Sequence, residues 1–196
     1  MTRKTGSIDK RIRIMEALSL CLQEKPFSRT TVKDIARTAG VNHGLVHYYF
    51  QSKEDLLAQY IDHVILHYQT IFETWLGETK RLELGSRETV EAFFDSASNQ
   101  VTLNRQLSMV FIEIWAIGIY NPVVREKIRE AYMTWIRMLT EIIGPNPGGS
   151  DASGRIALSI IAFLEGISLF SIVMDQEDFD IQMVLSDFRR RIIESL

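Results

Sequence analysis

Apolar residues recur at intervals of three and four along almost the whole chain, which is the spacing of one face of a helix. Ile8, Ile12, Met15, Leu18 and Leu22 form one stripe, ended by Lys25 and Pro26. Val32, Ile35, Ala36 and Ala39 form a short second stripe, and Val46, Tyr49 and Phe50 a third. From Leu57 the pattern Tyr60, Ile61, Val64, Tyr68, Ile71, Phe72 and Trp75 runs for about five turns. Further stripes follow at Val90, Phe93, Phe94, Ala97 and Val101, at Val124, Ile128, Ala131, Trp135, Leu139 and Ile142, and at Ile181, Val184, Leu185, Phe188 and Ile192. The segment 107–120 is apolar on nearly all sides, so it is predicted to be buried. The pattern predicts an all-α protein.

The punctuation between the second and third stripes is the most informative part of the chain. Thr31 can cap a helix and Asp34, three residues on, completes a capping box. Gly40 suits the left-handed cap that ends such a helix, and Asn42 is a good N-cap for the next. With Val41 before that cap and Val46 four residues into the helix, the two can form a hydrophobic staple. Val46, Tyr49 and Phe50 then face inward, and His43, Leu45, His47 and Tyr48 face solvent. Two short helices about a glycine turn, the second with an exposed face, make a helix-turn-helix. Ser52 and Asp55 form another capping box, which puts Lys53 in the first turn of the long helix. A cation gains nothing from the dipole there, so a phosphate held by Lys53 and backbone N–H groups is the functional reading, and a solvated lysine the alternative.

The run T-x-x-D-I-A-x-x-A-G-V followed by G-x-V-H-Y-Y-F-x-S-K-E-x-L, from Thr31 to Leu57, resembles the N-terminal DNA-binding domain of the tetracycline-repressor (TetR) family. The resemblance implies a three-helix DNA-binding domain over residues 1–52 and a larger ligand-binding and dimerisation domain over 53–196. It implies that Lys33, His43, Gly44 and Leu45 approach base edges, that Thr31, His47, Tyr48 and Lys53 hold phosphates, and that Asn42 heads the recognition helix. His47 stands where the family usually has a phosphate-contacting tyrosine, so Tyr48 or a protonated His47 would have to make that contact. The family also implies a homodimer through the last two helices, a palindromic operator in double-stranded DNA and release by a small-molecule effector.

Charge supports a local nucleic-acid interface. The chain of 196 residues has a formal charge of -3, yet residues 1–50 hold nine Lys/Arg against four Asp/Glu, and the rest is acidic. Residues 2–6 read either as a basic arm on DNA or as a disordered terminus, and basic Lys10, Arg11 and Arg13 lie on other faces of the first helix than its apolar stripe. The lone Cys21 sits in an apolar stripe and reads as a core residue, and the N-terminus lacks the apolar segment of a secretory signal, which together suggest the cytoplasm.

Candidate chemistry elsewhere is sparse. Gly77 to Gly85 and the run from Gly144 to Gly154 read as loops. His63 and His67 are spaced for a metal, but no third ligand is near in sequence, so no metal or cofactor is expected. Glu113, the only charge in its apolar segment, needs a partner: an arginine of the same domain or a ligand. The segment 155–174 is long enough to cross a bilayer, but Glu165 at its middle and the acidic DQEDFD beyond argue for a helix covered on its second side by another subunit. His67, Phe72, Glu113, Trp115, Tyr120, Trp135 and Glu165 are the candidate effector contacts, for an apolar or aromatic ligand. W-x(4)-Y-N-P-V-V-R-E-K from Trp115 is loosely similar to the C-terminal domains of betaine-pathway and related repressors. No nucleophile with a base, phosphate-binding glycine loop or paired carboxylates support catalysis; a helical ligand carrier or small enzyme keeping the motif as scaffold is the alternative to a regulator.

Overall fold

The computed structural model describes residues 2–97, 102, 104–144, 150–174 and 180–196, without the side chains of 2–8, 80, 150 and 151. Among them the chain is helical throughout, with no strand. Helix α1 spans Thr2–Glu24, a 3-10 turn Phe27–Arg29, α2 Val32–Thr38, α3 His43–Tyr49 and α4 Lys53–Arg81. Then come α5 Ser86–Ala97, α6 Arg105–Tyr120, α7 Pro122–Ile143, α8 Ser150–Val173 and α9 Ile181–Glu194. By packing the chain divides into two compact units, Met1–His67 with Met109–Lys127, and Tyr68–Ser108 with Ile128–Leu196. Helices α4, α6 and α7 each contribute residues to both.

In the first unit α1 packs on α2 and α2 on α3. Ile14, Leu18, Cys21, Leu22, Ile35, Ala36, Ala39, Val46, Phe50, Leu56, Leu57 and Ile61 are buried, each large aliphatic contributing roughly 1.5–3 kcal/mol by leaving water. Cys21 is the expected core residue, its sulfur 3.6 Å from the Thr38 hydroxyl. Helix α1 begins at Thr2, so the backbone of residues 2–6 is helical rather than an arm. Asn121 caps α7 through bonds from the N–H groups of Val123 and Val124, while Arg125 reaches back to the carbonyls of Gly118 and Ile119 and closes α6.

The second unit has its own core of Val90, Phe94, Leu139, Ile142, Ile143, Ala157, Ile160, Leu164, Ile167, Leu185 and Ile192. The Phe188 ring stacks on Phe163 of α8 and meets Phe94 of α5 edge-on, so α9 is held against both. Arg105 donates to the carbonyls of Ser171 and Ile172 at the end of α8, and the Ser153 hydroxyl donates to Gly144 O after α7. Arg189 pairs with Asp95, and Arg190 with Asp187.

Three sequence readings need correction. Helix α4 continues through Gly77 to Arg81, because a glycine within a helix costs only about 1 kcal/mol and the flanking residues favour the helix; the loop is correspondingly short. The segment 107–120 is not buried all round: Trp115 is 46 % exposed, Ile119 59 % and Tyr120 88 %, and only Ser108, Val110, Ile114 and Gly118 are covered. Helix α8, read as covered by its own domain on one side only, buries Ala157, Ile160, Leu164 and Ile167 and leaves Leu158, Leu169, Phe170 and Val173 exposed. It is the one described helix long and apolar enough to cross a membrane. Ser150–Gly154, read as loop, belong to α8, while Val101, residues 145–149 and residues 175–179 lie outside the described residues.

Candidate nucleic-acid interface

The helix-turn-helix is built from local bonds that the sequence specifies. The Thr31 hydroxyl accepts from Asp34 N–H, and the Asp34 carboxylate accepts from Thr31 N–H at 3.0 Å, closing the capping box. Asp34 also accepts from the Lys25 ammonium at 2.7 Å and from Arg37 at 3.0 Å. The Lys25 bond, then those of Thr31, hold its carboxyl well below the usual carboxylate range. After α2, Gly40 takes φ +64°, where the Gly40 and Val41 N–H groups reach back to Arg37 and Ala36 carbonyls. Arg13 of α1 donates to Ala39 O at 2.6 Å and so caps the same helix end. Asn42 accepts from Leu45 N–H at 2.7 Å and starts α3.

Helix α3 turns Val46 and Phe50 inward and leaves His43, Gly44, His47 and Tyr48 exposed, with Leu45 half-covered. Tyr48 is 78 % exposed, and the His43 and His47 rings meet edge-on with centroids 4.6 Å apart. The outer face of α3 therefore carries donors, two imidazoles, a phenol and a glycine that lets another surface approach closely. Thr31 and Asn42 spend their side chains on caps, and Lys33 is exposed on α2. Arg11 donates to Gln59 and lies over the Phe50 ring, so with Arg13 part of the basic surface of α1 is turned to internal bonds.

Lys53 is placed differently from the sequence reading. Its ammonium donates to Phe27 O at 2.9 Å and Thr30 O at 3.0 Å and sits 4.2 Å from the centre of the Phe27 ring. An ammonium has three donors, and these two carbonyls take two of them. Sequence spacing shows the helix position but not these partners, which lie 23 and 26 residues back.

Residues 14–60 match the family model of the bacterial regulatory proteins of the tetR family. This segment is a TetR-family DNA-binding domain. The fold of the whole chain agrees with solved TetR-like structures. A transcriptional regulator from Rhodococcus sp. Rha1 is 19% identical with a TM-score of 0.75, covering 95% of each chain. A TetR transcription regulator from Haloarcula marismortui is 19% identical with a TM-score of 0.72, covering 95% of this chain and 96% of its own. A protein from Saccharomonospora viridis, described as a transcriptional regulator and solved in complex with choline, is 20% identical with a TM-score of 0.73, covering 92% and 95%. No curated protein sequence matches the chain. The exposed face of α3 lies within the matched segment.

The candidate effector residues are divided between the two units. Glu113, Trp115, Tyr120 and His67 belong to the first unit, and Phe72, Trp135 and Glu165 to the second. The Glu113 carboxylate accepts the Phe27 backbone N–H at 2.6 Å. Tyr120 and His67 are exposed, and Phe72 packs with Trp75 and Phe93. Glu165 accepts from the Tyr132 hydroxyl at 2.6 Å, and burial pushes its carboxyl up despite that bond. The Tyr132 ring meets Trp135 edge-on at 5.1 Å. A cavity of about 150 Å³ in the second unit is lined by Leu76, Thr79, Leu84, Thr89, Glu141 and Ile142, none of them among those candidates. No group of three or more His, Cys, Asp or Glu able to hold a metal occurs among the described residues.

Proposed function

We propose that the protein is a transcriptional repressor that binds a palindromic operator as a homodimer and is released by a small-molecule effector. The observation that carries this reading is α3: a helix fixed at both ends by caps, buried on Val46 and Phe50, with His43, Gly44, Leu45, His47 and Tyr48 turned outward. His43, Gly44, Leu45 and Lys33 would read bases; His47, Tyr48 and Lys53 would hold phosphates, with Thr31 and Asn42 setting the starts of α2 and α3. One such domain has few cations, so a dimer presenting two half-sites about one helical turn apart supplies the affinity. The exposed apolar residues of α8 and α9, Leu158, Leu169, Phe170, Val173 and Met183, support pairing through the last two helices. The protein works in the cytoplasm, where DNA and effector meet.

For the effector, Glu165, Tyr132 and Trp135 support a ligand with a cationic or donor group, since a half-buried carboxylate beside aromatic rings favours one. Choline, bound by the Saccharomonospora viridis protein, is a suitable first probe.

The test is selection of duplexes from random DNA by the purified protein at moderate salt. Tyr48→Ala is the control, because Tyr48 is exposed and its loss leaves the core intact, whereas Lys53→Ala would also remove two internal bonds. An enriched palindrome, weakened in the control, supports the reading; no enrichment by a folded protein overturns it.

A further inference from the structure

The 3-10 turn between α1 and α2 is the place where the first helix hands over to the helix-turn-helix. Its N-terminal donors have no local cap: the residue ahead is Pro26, whose side chain can accept nothing, and no side-chain cap is made there. The donor at the head of the turn, Phe27 N–H, is taken instead by the Glu113 carboxylate of α6 at 2.6 Å, across 86 residues of chain. At the other side of the same turn, Lys53 takes the carbonyls of Phe27 and Thr30. The turn is thus gripped by an anion on its N–H side and a cation on its C=O side, which matches its dipole at both ends. Thr31, the residue after Thr30, is the N-cap of α2 and so sets where the helix-turn-helix starts.

Of the α6 residues from Met109 on, Val110, Ile114 and Gly118 are buried while Ile112, Trp115, Ile119 and Tyr120 are exposed, and the charge-assisted bond of Glu113 adds to what fixes the helix against the turn. The helix is also continuous with Arg105–Ser108, which pack in the second unit.

We propose that Glu113 is a positioning residue for DNA recognition: through its bond to Phe27 N–H, α6 sets the turn that orients α2 and α3. This rests on the DNA-binding reading above. A shift of α6 along its axis stretches the bond and loosens the turn, and α3 loses its fixed presentation.

The experiment compares wild type, Glu113→Gln and Glu113→Ala in two ways: amide hydrogen exchange across residues 26–50, and affinity for the duplex selected by the wild type. In Glu113→Ala the Phe27 amide and the start of α2 exchange about tenfold faster and the duplex binds about tenfold more weakly, as expected for loss of a hydrogen bond to a charged group. Glu113→Gln keeps an acceptor and stays within about threefold of wild type in both. The amides of α5, α7 and α9 remain as in wild type. Unchanged exchange, faster exchange without weaker binding, equal loss in both variants, or a loss of protection spread over all helices each overturns the proposal. If the wild type binds no duplex, the DNA-binding reading falls, and the exchange arm alone decides whether α6 holds the turn.

Discussion

The ammonium of Lys53 and the carbonyl oxygen of Thr30 are 3.0 Å apart, so the lysine at the head of α4 closes the turn that precedes α2. Removing it leaves two carbonyls without their charged donor. Lys53→Ala is therefore expected to destabilise the protein by about 1.5–3 kcal/mol. Lys53→Met, which keeps the stem beside the Phe27 ring, should lose somewhat less. Urea denaturation of both variants checks this, and a midpoint equal to wild type in Lys53→Ala would show that the bonds add nothing.

Gly40 gives a second measurable cost. At φ +64° any side chain is strained, and a Cβ there would lie 3.2 Å from Arg13 Nη2, which caps Ala39. Gly40→Ala should cost about 1–2 kcal/mol for the left-handed backbone. Arg13→Ala should cost less, since water can replace part of the cap. Equal stability of Gly40→Ala and wild type would mean that the turn can relax to another conformation.

Asp34 links the same region to acid. Its carboxyl is held low by Lys25 and then by Thr31, so the folded state binds its proton less readily than the unfolded chain. The stabilisation is present above the unfolded carboxylate range, near 3.9, and is lost as pH falls toward the depressed folded value. Asp34→Asn should flatten the fall of stability on acidification and weaken the protein at neutral pH, read from thermal melts across that range. A variant that melts like wild type at neutral pH, with the same acid slope, would refute it.

These bonds explain what was legible from sequence. Thr31 with Asp34, Gly40 and Asn42 act on neighbours within four residues, and spacing alone places them. The partners of Lys53 and Glu113 lie 23 to 86 residues away, where spacing carries no information. Ser52 and Asp55 show the limit at short range: Asp55 N–H donates to the Ser52 hydroxyl as expected, but the Asp55 carboxylate takes Gln51 N–H. Apolar content misled in α6 for another reason. A wholly apolar segment says that its surface tends to be covered, not that its own chain covers it.

Glu165 reverses the sign seen at Asp34. Burial raises its carboxyl and the Tyr132 hydroxyl only partly offsets this, so the folded state holds the proton more tightly than the unfolded chain. Its contribution is greatest below the unfolded glutamate range, near 4.3, and is lost as pH rises through the raised folded value. Glu165→Gln, which can still accept from Tyr132, is expected to melt higher than wild type at pH 8 and to match it near pH 4. If Glu165 faces a cationic effector, choline is expected to quench tryptophan fluorescence in wild type and to leave it unchanged in the same variant.

The outer stripe of α8 makes the last prediction. Leu158, Leu169 and Val173 are 52 %, 45 % and 70 % exposed on a helix whose other face is core, and Met183 of α9 is 63 % exposed. Surfaces this apolar are rare on a monomer, and pairing two copies through α8 and α9 would form a four-helix interface with a conventional buried seam. Leu158→Glu and Val173→Glu each add a charge to that seam without touching Ala157, Ile160 or Leu164 of the core. Sedimentation should show wild type as a dimer and the double variant as a folded monomer whose duplex binding is weakened far more than its melting temperature, because two half-sites are no longer held together. A double variant that stays dimeric would place the interface elsewhere, and a monomeric wild type that still selects a palindrome would mean that pairing happens only on DNA.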